Sequence, residues 1–276
     1  MEIIIKPILV TGGLGLLFGI LLSIASNVFA VVIDPKIGAV LDALPGANCG
    51  ACGFPGCEGL AGAIAEGKAP VNACPIGGQE VADNVADIMG LQGANVAKNV
   101  AVVLCQGDND KANIKYHYEG INDCRVQSRL SDGCKSCTYG CLGCGTCYDV
   151  CPFDAIDMIN GLAVINKDKC TACMKCIDIC PKKIIELVPY DNNYIVKCKS
   201  EDKGKVVRQN CSIGCIGCKI CVKNCPVDAI DFDNALAVID YEKCINCGIC
   251  EEKCPTKCIT VHQNKVIAPE KEEALV

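Results

Sequence analysis

Cysteine spacing is the most informative feature of this 276-residue chain, which contains 27 cysteines. Twenty of them form five sets of four with the spacing of iron–sulfur ligands, and four of these sets are C-x2-C-x2-C-x3-C-P runs. Such a run gives three thiolates to one [4Fe–4S] cluster and its fourth thiolate to a neighbouring cluster. Four identical runs therefore predict a row of one-electron carriers. The runs begin at Cys141, Cys170, Cys215 and Cys244.

The region that contains these runs consists of two copies of one unit. Residues 140–181 align with residues 214–255 at a constant offset of 74, and the two runs within each copy start 29 residues apart. Between the runs, two short apolar segments flank a turn at Asn160–Gly161 or at Asp233–Asn234, which predicts a β-hairpin. Each copy is therefore expected to be a small α+β unit that holds two clusters.

The fourth cysteine of each run is expected to serve the other cluster of its copy. The first copy then has two ligand sets, which are Cys141, Cys144, Cys147 and Cys180, and Cys170, Cys173, Cys176 and Cys151. The second copy has the corresponding sets Cys215, Cys218, Cys221 and Cys254, and Cys244, Cys247, Cys250 and Cys225.

A fifth set of cysteines precedes the repeat, with the spacing C-x2-C-x4-C-x16-C. Glycines between these cysteines let the backbone wrap closely and aim N–H groups at sulfur. The set predicts one [4Fe–4S] cluster, and a structural zinc site is the alternative. Short helices are predicted over 58–66 and 79–89, and a strand over 94–104. The ligands of this fifth set are Cys49, Cys52, Cys57 and Cys74.

Seven cysteines remain outside the five sets. Two pairs of them, Cys124 with Cys198 and Cys137 with Cys211, obey the same offset of 74, so this pair was duplicated with the unit. We hypothesise a sixth cluster, and the alternative is that these residues are buried thiols that pack as small hydrophobes. The hypothetical ligands are Cys105, Cys124, Cys134 and Cys137, whereas Cys198, Cys211 and Cys258 receive no role.

Composition narrows the possible functions. The chain has no Trp and only 4% aromatic residues, so bound clusters are expected to supply part of the folding energy. An odd number of cysteines with C-x2-C spacing indicates a reducing compartment rather than disulfides. The net charge of −6, which clusters would make more negative, disfavours nucleic-acid binding. No flavin or nicotinamide motif and no nucleophile–base pair is present, so we assign no catalytic residue.

Near the N-terminus, Pro7 to Ile33 is a stretch of 27 residues without a charged side chain. At about 1.5 Å per residue it exceeds the roughly 30 Å of a bilayer hydrocarbon core, which predicts one membrane-spanning helix. A cleaved signal peptide is the alternative. Because thiolate-held iron belongs on the reducing side, the cluster domains are expected on the cytoplasmic side of the cell membrane.

The expected fold class is α+β, with a single N-terminal transmembrane helix, a small helical [4Fe–4S] domain and two tandem 2[4Fe–4S] ferredoxin units. The expected division is a transmembrane anchor (1–33), an N-terminal [4Fe–4S] domain (34–95), a cysteine-containing connector (96–138), ferredoxin unit 1 (139–187), a basic connector (188–212), ferredoxin unit 2 (213–265) and a charged tail (266–276).

The connector between the two units is basic. Its cations could steer an acidic protein such as a ferredoxin, although a run of this kind is usually a solvated connector. The residues are Lys197, Lys199, Lys203, Lys205 and Arg208.

The order of these features resembles the B subunit of Rnf complexes, and the segment from Asn48 to Cys57 (N-C-G-A-C-G-F-P-G-C) followed by Cys74 is the most specific part. The resemblance implies an electron-transfer subunit of an ion-translocating ferredoxin:NAD oxidoreductase. Its implied partners are reduced ferredoxin, other Rnf subunits including membrane-embedded ones, and membrane lipid. Because it has a second ferredoxin unit, the chain resembles the longer form of this subunit that is found in anaerobes.

Two other functions remain open from the residues alone. One is a relay subunit of a different membrane enzyme, such as a hydrogenase or a dehydrogenase. The other is a structural or metal-storage protein, which the fixed C-x3-C-P spacing disfavours because storage does not require it.

Overall fold

The computed structural model describes residues 2–28, 34–93 and 95–261. Over these residues the helices are α1 (Glu2–Val28), α2 (Pro35–Ala43), α3 (Gly56–Ala65), α4 (Gly78–Met89), α5 (Cys124–Ser128), α6 (Thr146–Asp149), α7 (Lys175–Ile179), α8 (Gly204–Asn210), α9 (Ile220–Lys223) and α10 (Ile249–Glu252). The strands are β1 (Asn99–Val103), β2 (Ile156–Ile159), β3 (Leu162–Ile165), β4 (Ile185–Pro189), β5 (Tyr194–Val196), β6 (Ile230–Asp233), β7 (Leu236–Ile239) and β8 (Ile259–Val261).

The predicted membrane anchor is the main correction to the expected fold. Within the described residues, none of the helices combines the length and the hydropathy that a membrane crossing requires. The transmembrane part of the fold class and the single-pass localisation are therefore wrong. Residues 1 and 29–33 of the predicted anchor lie outside the described residues.

Three short helices form the N-terminal domain. The Asp34 side chain accepts a 2.9 Å hydrogen bond from the Lys36 N–H at the start of α2, which is a standard N-cap. The helices α2, α3 and α4 pack around a core in which Val40, Leu60 and Val85 are at most 1% exposed. The helices predicted over 58–66 and 79–89 are present as α3 and α4.

Each ferredoxin-like unit contains the predicted hairpin. Strands β2 and β3 pair antiparallel in the first unit, and β6 and β7 do so in the second. The first turn is Asn160–Gly161, with φ values of 46° and 70°, as a two-residue turn of this type requires. The second turn is Asn234–Ala235, with φ values of 43° and 64°, one residue later than predicted.

A second two-stranded sheet completes each unit with a strand from outside its cysteine runs. Strand β4 pairs with β1, which lies in the stretch predicted as a strand over 94–104, and β8 pairs with β5 from the basic connector. The first unit is built around Ile156, Ile165 and Ile185, and the second around Ile230, Ile239 and Ile259. The core of each unit also includes its cysteines. The predicted charged tail over 266–276 lies outside the described residues.

Candidate iron–sulfur sites

The four C-x2-C-x2-C loops share one backbone conformation. In each loop, the residues directly before and after the second cysteine have positive φ, and a helix of four or five residues then carries the third cysteine. Reversals of backbone hand form concave groups of N–H donors, which are characteristic of anion and iron–sulfur sites. The left-handed residues are Gly143, Gly145, Ala172, Met174, Gly217, Lys219, Asn246 and Gly248.

Glycine does not explain this conformation, because half of these positions carry a side chain. For Ala172, Met174 and Lys219, with φ between 55° and 63°, the left-handed region costs roughly 1–2 kcal/mol each. Such strain persists only where the surrounding structure imposes it, and it concentrates at ligand sites. The repeated strain therefore marks the loops as binding loops.

The fourth cysteine of each run begins a second repeated feature. The residue three positions later has positive φ in all four runs, at Asp154, Lys183, Asp228 and Lys257. In the second unit, the next N–H donates to the cysteine sulfur, from Ala229 to Cys225 Sγ and from Cys258 to Cys254 Sγ, both at 3.3 Å. N–H donors to ligand sulfur are one of the means by which a protein sets cluster potential.

In the first unit, the fold brings the crossed cysteines together. One cavity is lined by Cys151 with Cys170, Cys173 and Cys176, the predicted crossed set. Burial, followed by the other three thiols of this set, raises the pKa of Cys176 to about 12.

A second cavity in this unit is lined by Cys180 with Cys141, Cys147 and also Cys124. Burial raises the pKa of Cys147 to about 12, with Cys141 and Cys180 among the thiols that contribute. Cys144 is buried at this end of the unit, and its Sγ donates a 3.3 Å hydrogen bond to Gln127 Oε1.

The second unit repeats the crossed grouping. One cavity is lined by Cys254 with Cys215, Cys218 and Cys221, and burial followed by the other three thiols raises the pKa of Cys221 to about 11. In the remaining set, burial followed by Cys244 and Cys247 raises the pKa of Cys250 to about 11. Cys225, the crossed member of that set, packs against the same core as Cys244 and Cys250.

Cys49 and Cys52 lie on the loop between α2 and α3, Cys57 lies in the first turn of α3, and Cys74 lies on the segment after α3. Asn48 Oδ1 accepts a 2.7 Å hydrogen bond from the Cys57 N–H and so closes this loop. Burial raises the pKa of Cys74, and the nearby Cys57 and Cys52 contribute to the increase. Cys49 accepts a 3.5 Å bond from the Ala51 N–H, so the loop supplies at least one donor to sulfur.

The grouping of the thiols matches the ligand requirement of [4Fe–4S] clusters. In the described parts of the chain, no three His, Cys, Asp or Glu side chains are placed to share one metal ion. Thiols of three crossed sets line three separate cavities. A [4Fe–4S] cluster needs four thiolates, each on its own iron, whereas zinc needs them at a single centre.

The four cysteines of the hypothetical sixth set lie at two different places in the structure. Cys105 and Cys137 line one cavity together with Cys198 and Cys211. Cys124 and Cys134 lie instead near Cys144. The hydrogen bond that Cys144 donates to Cys124, followed by burial, raises the pKa of Cys144, and Cys134 and Cys144 both hydrogen-bond to the Gln127 amide. The set Cys105, Cys124, Cys134 and Cys137 therefore remains an untested prediction. The offset of 74 was the sequence signal for Cys198 and Cys211, but it carried no information about their neighbours.

Equivalent cysteines of the two units differ in exposure. Cys218 and Cys247 in the second unit are exposed, whereas their counterparts are buried at Cys144 and half-buried at Cys173. Gln127, on α5 within the cysteine-containing connector, is 4% exposed and contacts Cys144. The second unit thus presents cysteines at the surface where the first unit is covered.

Two units with crossed cysteine sets, together with a separate four-cysteine loop, define an iron–sulfur electron carrier with dicluster ferredoxin domains. Family models match the same regions. A 4Fe-4S dicluster domain matches residues 140–185 and another matches residues 214–258, while an Fe-S cluster domain matches residues 44–76.

Curated relatives extend the match over most of the chain. The chain is 49% identical to the B subunit of the Na(+)-translocating ferredoxin:NAD(+) oxidoreductase complex of Acetobacterium woodii, covering 93% of this chain and 78% of the relative. It is 47% identical to the B subunit of the ion-translocating oxidoreductase complex of Methanosarcina acetivorans (88% and 92% covered). It is 42% identical to the B subunit of the proton-translocating ferredoxin:NAD(+) oxidoreductase complex of Clostridium ljungdahlii (87% and 85%). The chain therefore belongs to the family of Rnf complex B subunits.

Proposed function

We propose that this chain relays electrons within an ion-translocating ferredoxin:NAD oxidoreductase, taking them from reduced ferredoxin and delivering them to other subunits. The names of the relatives support the kind of complex. The single observation that carries the relay function is the crossed grouping of cysteines, in which Cys151 joins the second run and Cys254 joins the third.

Clusters bound at the five sets would supply one-electron transfer. The contribution of the chain is to hold, bury and hydrogen-bond the ligand sulfurs, as the N–H donors to Cys170, Cys225 and Cys254 at 3.3 Å do. Exchange of electron pairs with NAD is assigned to other subunits, because this sequence has no motif for a nicotinamide or a flavin.

The positions of the sets give an order of transfer. Burial is the main cause that raises the pKa of Cys147, followed by Cys141 of the same set and, more weakly, by Cys176 of the other set. The two sets of the first unit are therefore close enough to influence each other. Cys49 contributes to the raised pKa of Cys173 after burial, Cys151 and Cys170, so the N-terminal set adjoins the first unit. Electrons that enter at the second unit would then leave through the N-terminal set.

Exposure supports the second unit as the place where ferredoxin donates. Electron transfer between proteins needs a short distance, and Cys218 and Cys247 are the ligand candidates that reach the surface there. Exposed Lys219 and Lys223 flank Cys218, and a positive site favours an acidic donor. The basic connector is a weaker docking candidate, because Lys199 is paired with Glu186 and Lys197 is half-buried.

Metal analysis and a redox assay test the proposal on the full chain. Anaerobically purified protein should carry at least about 20 irons, four for each of five clusters, with matching acid-labile sulfide. Reduced ferredoxin should reduce the chain, and the isolated chain should reduce no NAD. Zinc with little iron, or failure to accept electrons from reduced ferredoxin, would refute the relay function.

A further inference from the structure

Four cysteines outside the five sets line one cavity where the two ferredoxin-like units meet. They are Cys105 after β1, Cys137 before the first run, Cys198 after β5 and Cys211 after α8. Two of them, Cys137 and Cys211, are equivalent residues of the two copies at the offset of 74.

Glycines keep the backbone close to these sulfurs. A Cβ at Gly107 would lie 3.5 Å from Cys211 Sγ and 3.6 Å from Cys105 Sγ. A Cβ at Gly140 would lie 3.6 Å from Cys137 Sγ, and one at Gly214 would lie 3.9 Å from Cys198 Sγ. Each of the four sulfurs therefore has a glycine beside it, as in loops that wrap closely around a bound group.

Backbone pairing fixes the two copies around the cavity. The segment after Cys105 pairs with the residues that precede each unit, at Ala112 with Cys211 and at Ile114 with Lys135. The Asn113 N–H also donates to the Asn210 carbonyl at 2.9 Å. Residues 112–114 therefore hold Cys211 and the residues before Cys137 close together, although these two segments are far apart in the sequence.

Three lysines line the same cavity, and one of them, Lys199, is paired with Glu186. Lys135 is 2% exposed, and its ammonium donates to the carbonyls of Gly107 at 2.7 Å and Gly161 at 3.1 Å. Among the described residues, no carboxylate pairs with Lys135. Lys197 is half-buried nearby, and burial lowers its pKa. A buried cation is costly unless an anion accompanies it, and four thiols are the acidic groups available in this cavity.

We propose that Cys105, Cys137, Cys198 and Cys211 hold a sixth [4Fe–4S] cluster, with Lys135 as its buried counter-charge. The proposal rests on the proposed function, because it assumes that the other sets bind the same kind of cluster. This ligand set replaces two members of the set expected from sequence, since Cys124 and Cys134 lie near Cys144 instead.

The site would connect the two units. Cys105 Sγ accepts a 3.5 Å bond from the N–H of Cys141, a member of the first unit. On the other side, Cys198 and Cys215, a member of the second unit, both interact with Cys258, and this interaction lowers the pKa of each. A cluster here would therefore lie between the Cys141 set of the first unit and the Cys215 set of the second unit, and it would join the two units into one relay.

Iron analysis of cysteine variants tests the ligand set on the full chain, purified anaerobically. The wild type should carry about 24 irons, four for each of six clusters. Cys137→Ser and Cys211→Ser should each remove about four irons and one EPR signal of the reduced protein. The matched controls Cys124→Ser and Cys134→Ser should retain all of the iron.

The outcomes separate this proposal from the proposed function. About 20 irons that neither Cys137→Ser nor Cys211→Ser lowers would overturn the sixth cluster alone, as would zinc at this site. Loss of four irons in Cys124→Ser with none lost in Cys211→Ser would favour the set expected from sequence. Little iron in the wild type would instead refute the proposed function.

A second variant keeps the proposal testable if the cysteine variants fail to fold. Lys135→Met removes the cation and retains every thiol, so it should shift the potential of one EPR signal to a more negative value. The control Lys167→Met removes another buried lysine, which lies over Tyr190 outside this cavity. No change in any potential in Lys135→Met would contradict the counter-charge role.

Discussion

Cys49 of the N-terminal domain acts on the thiol of Cys173 in the first ferredoxin-like unit. Burial raises the pKa of Cys173, and the thiols that add to this are Cys151 and Cys170 of its own set and then Cys49. The N-terminal set is therefore near enough to the Cys170 set to influence it electrostatically. We expect electrons to pass between these two sets.

Loss of the N-terminal site should therefore interrupt the route after the ferredoxin-like units. In Cys74→Ser, the isolated chain should still oxidise reduced ferredoxin at a rate close to wild type. The assembled complex containing this variant should lose ferredoxin-driven NAD reduction. Normal NAD reduction by a complex shown by EPR to lack the N-terminal cluster would contradict this exit route.

Crossed ligation is tested most directly at Cys151. Because Cys151 lines the cavity of Cys170, Cys173 and Cys176, Cys151→Ala should damage the cluster of that set and spare the one bound by its own run. Low-temperature EPR of the reduced chain would follow both signals. The equivalent variant Cys225→Ala should damage the Cys244 set, and loss of the Cys141 or Cys215 signal would show that ligation is not crossed.

The five four-cysteine sets were proposed from sequence spacing, because three ligands of one cluster lie on one short loop and must therefore be a fixed number of residues apart. The hairpins were predictable for a similar reason, since a two-residue turn and alternating strands are local patterns. The second turn was misplaced because Ala235, at φ 64°, occupies a position where sequence favours Asn or Gly.

The grouping of Cys105 with Cys198 and Cys211 could not be read from spacing. It depends on pairing between Ala112 and Cys211, which are distant in sequence, and no local pattern specifies such contacts. The exposure of Cys218 and Cys247 was equally inaccessible from sequence, because their counterparts have the same spacing. What differs is the cover that the connector provides over Cys144 through Gln127.

The N-terminal domain should depend on its small apolar core. Leu60 on α3 is 1% exposed, and truncation of a buried leucine costs about 2–5 kcal/mol. Leu60→Ala should therefore lower the unfolding temperature of this domain and release about four irons first on heating, while the ferredoxin-like units keep theirs. The control Leu91→Ala, at a residue that is 57% exposed, should leave the transition nearly unchanged.

Docking of ferredoxin at the second unit can be tested by reversing charge near Cys218. Lys219 directly precedes α9, Lys223 is the last residue of α9, and both are exposed. The Lys219 ammonium lies 4.2 Å from the centroid of the Phe232 ring. Lys219→Glu combined with Lys223→Glu should slow oxidation of reduced ferredoxin by about tenfold or more at low salt, because steering by opposite charge accelerates association by about 10–1000-fold. The dependence on ionic strength should weaken in the same variant.

A charge reversal far from the second unit provides the control for this docking experiment. Lys68→Glu makes the same change at a lysine of the N-terminal domain whose side chain is 73% exposed, and it should leave the rate close to wild type. Stopped-flow measurements over a range of salt concentrations would separate docking from electron transfer. An unchanged rate in the double variant, together with a reduced rate in Lys68→Glu, would move the docking surface to the N-terminal domain and reverse the proposed direction of transfer.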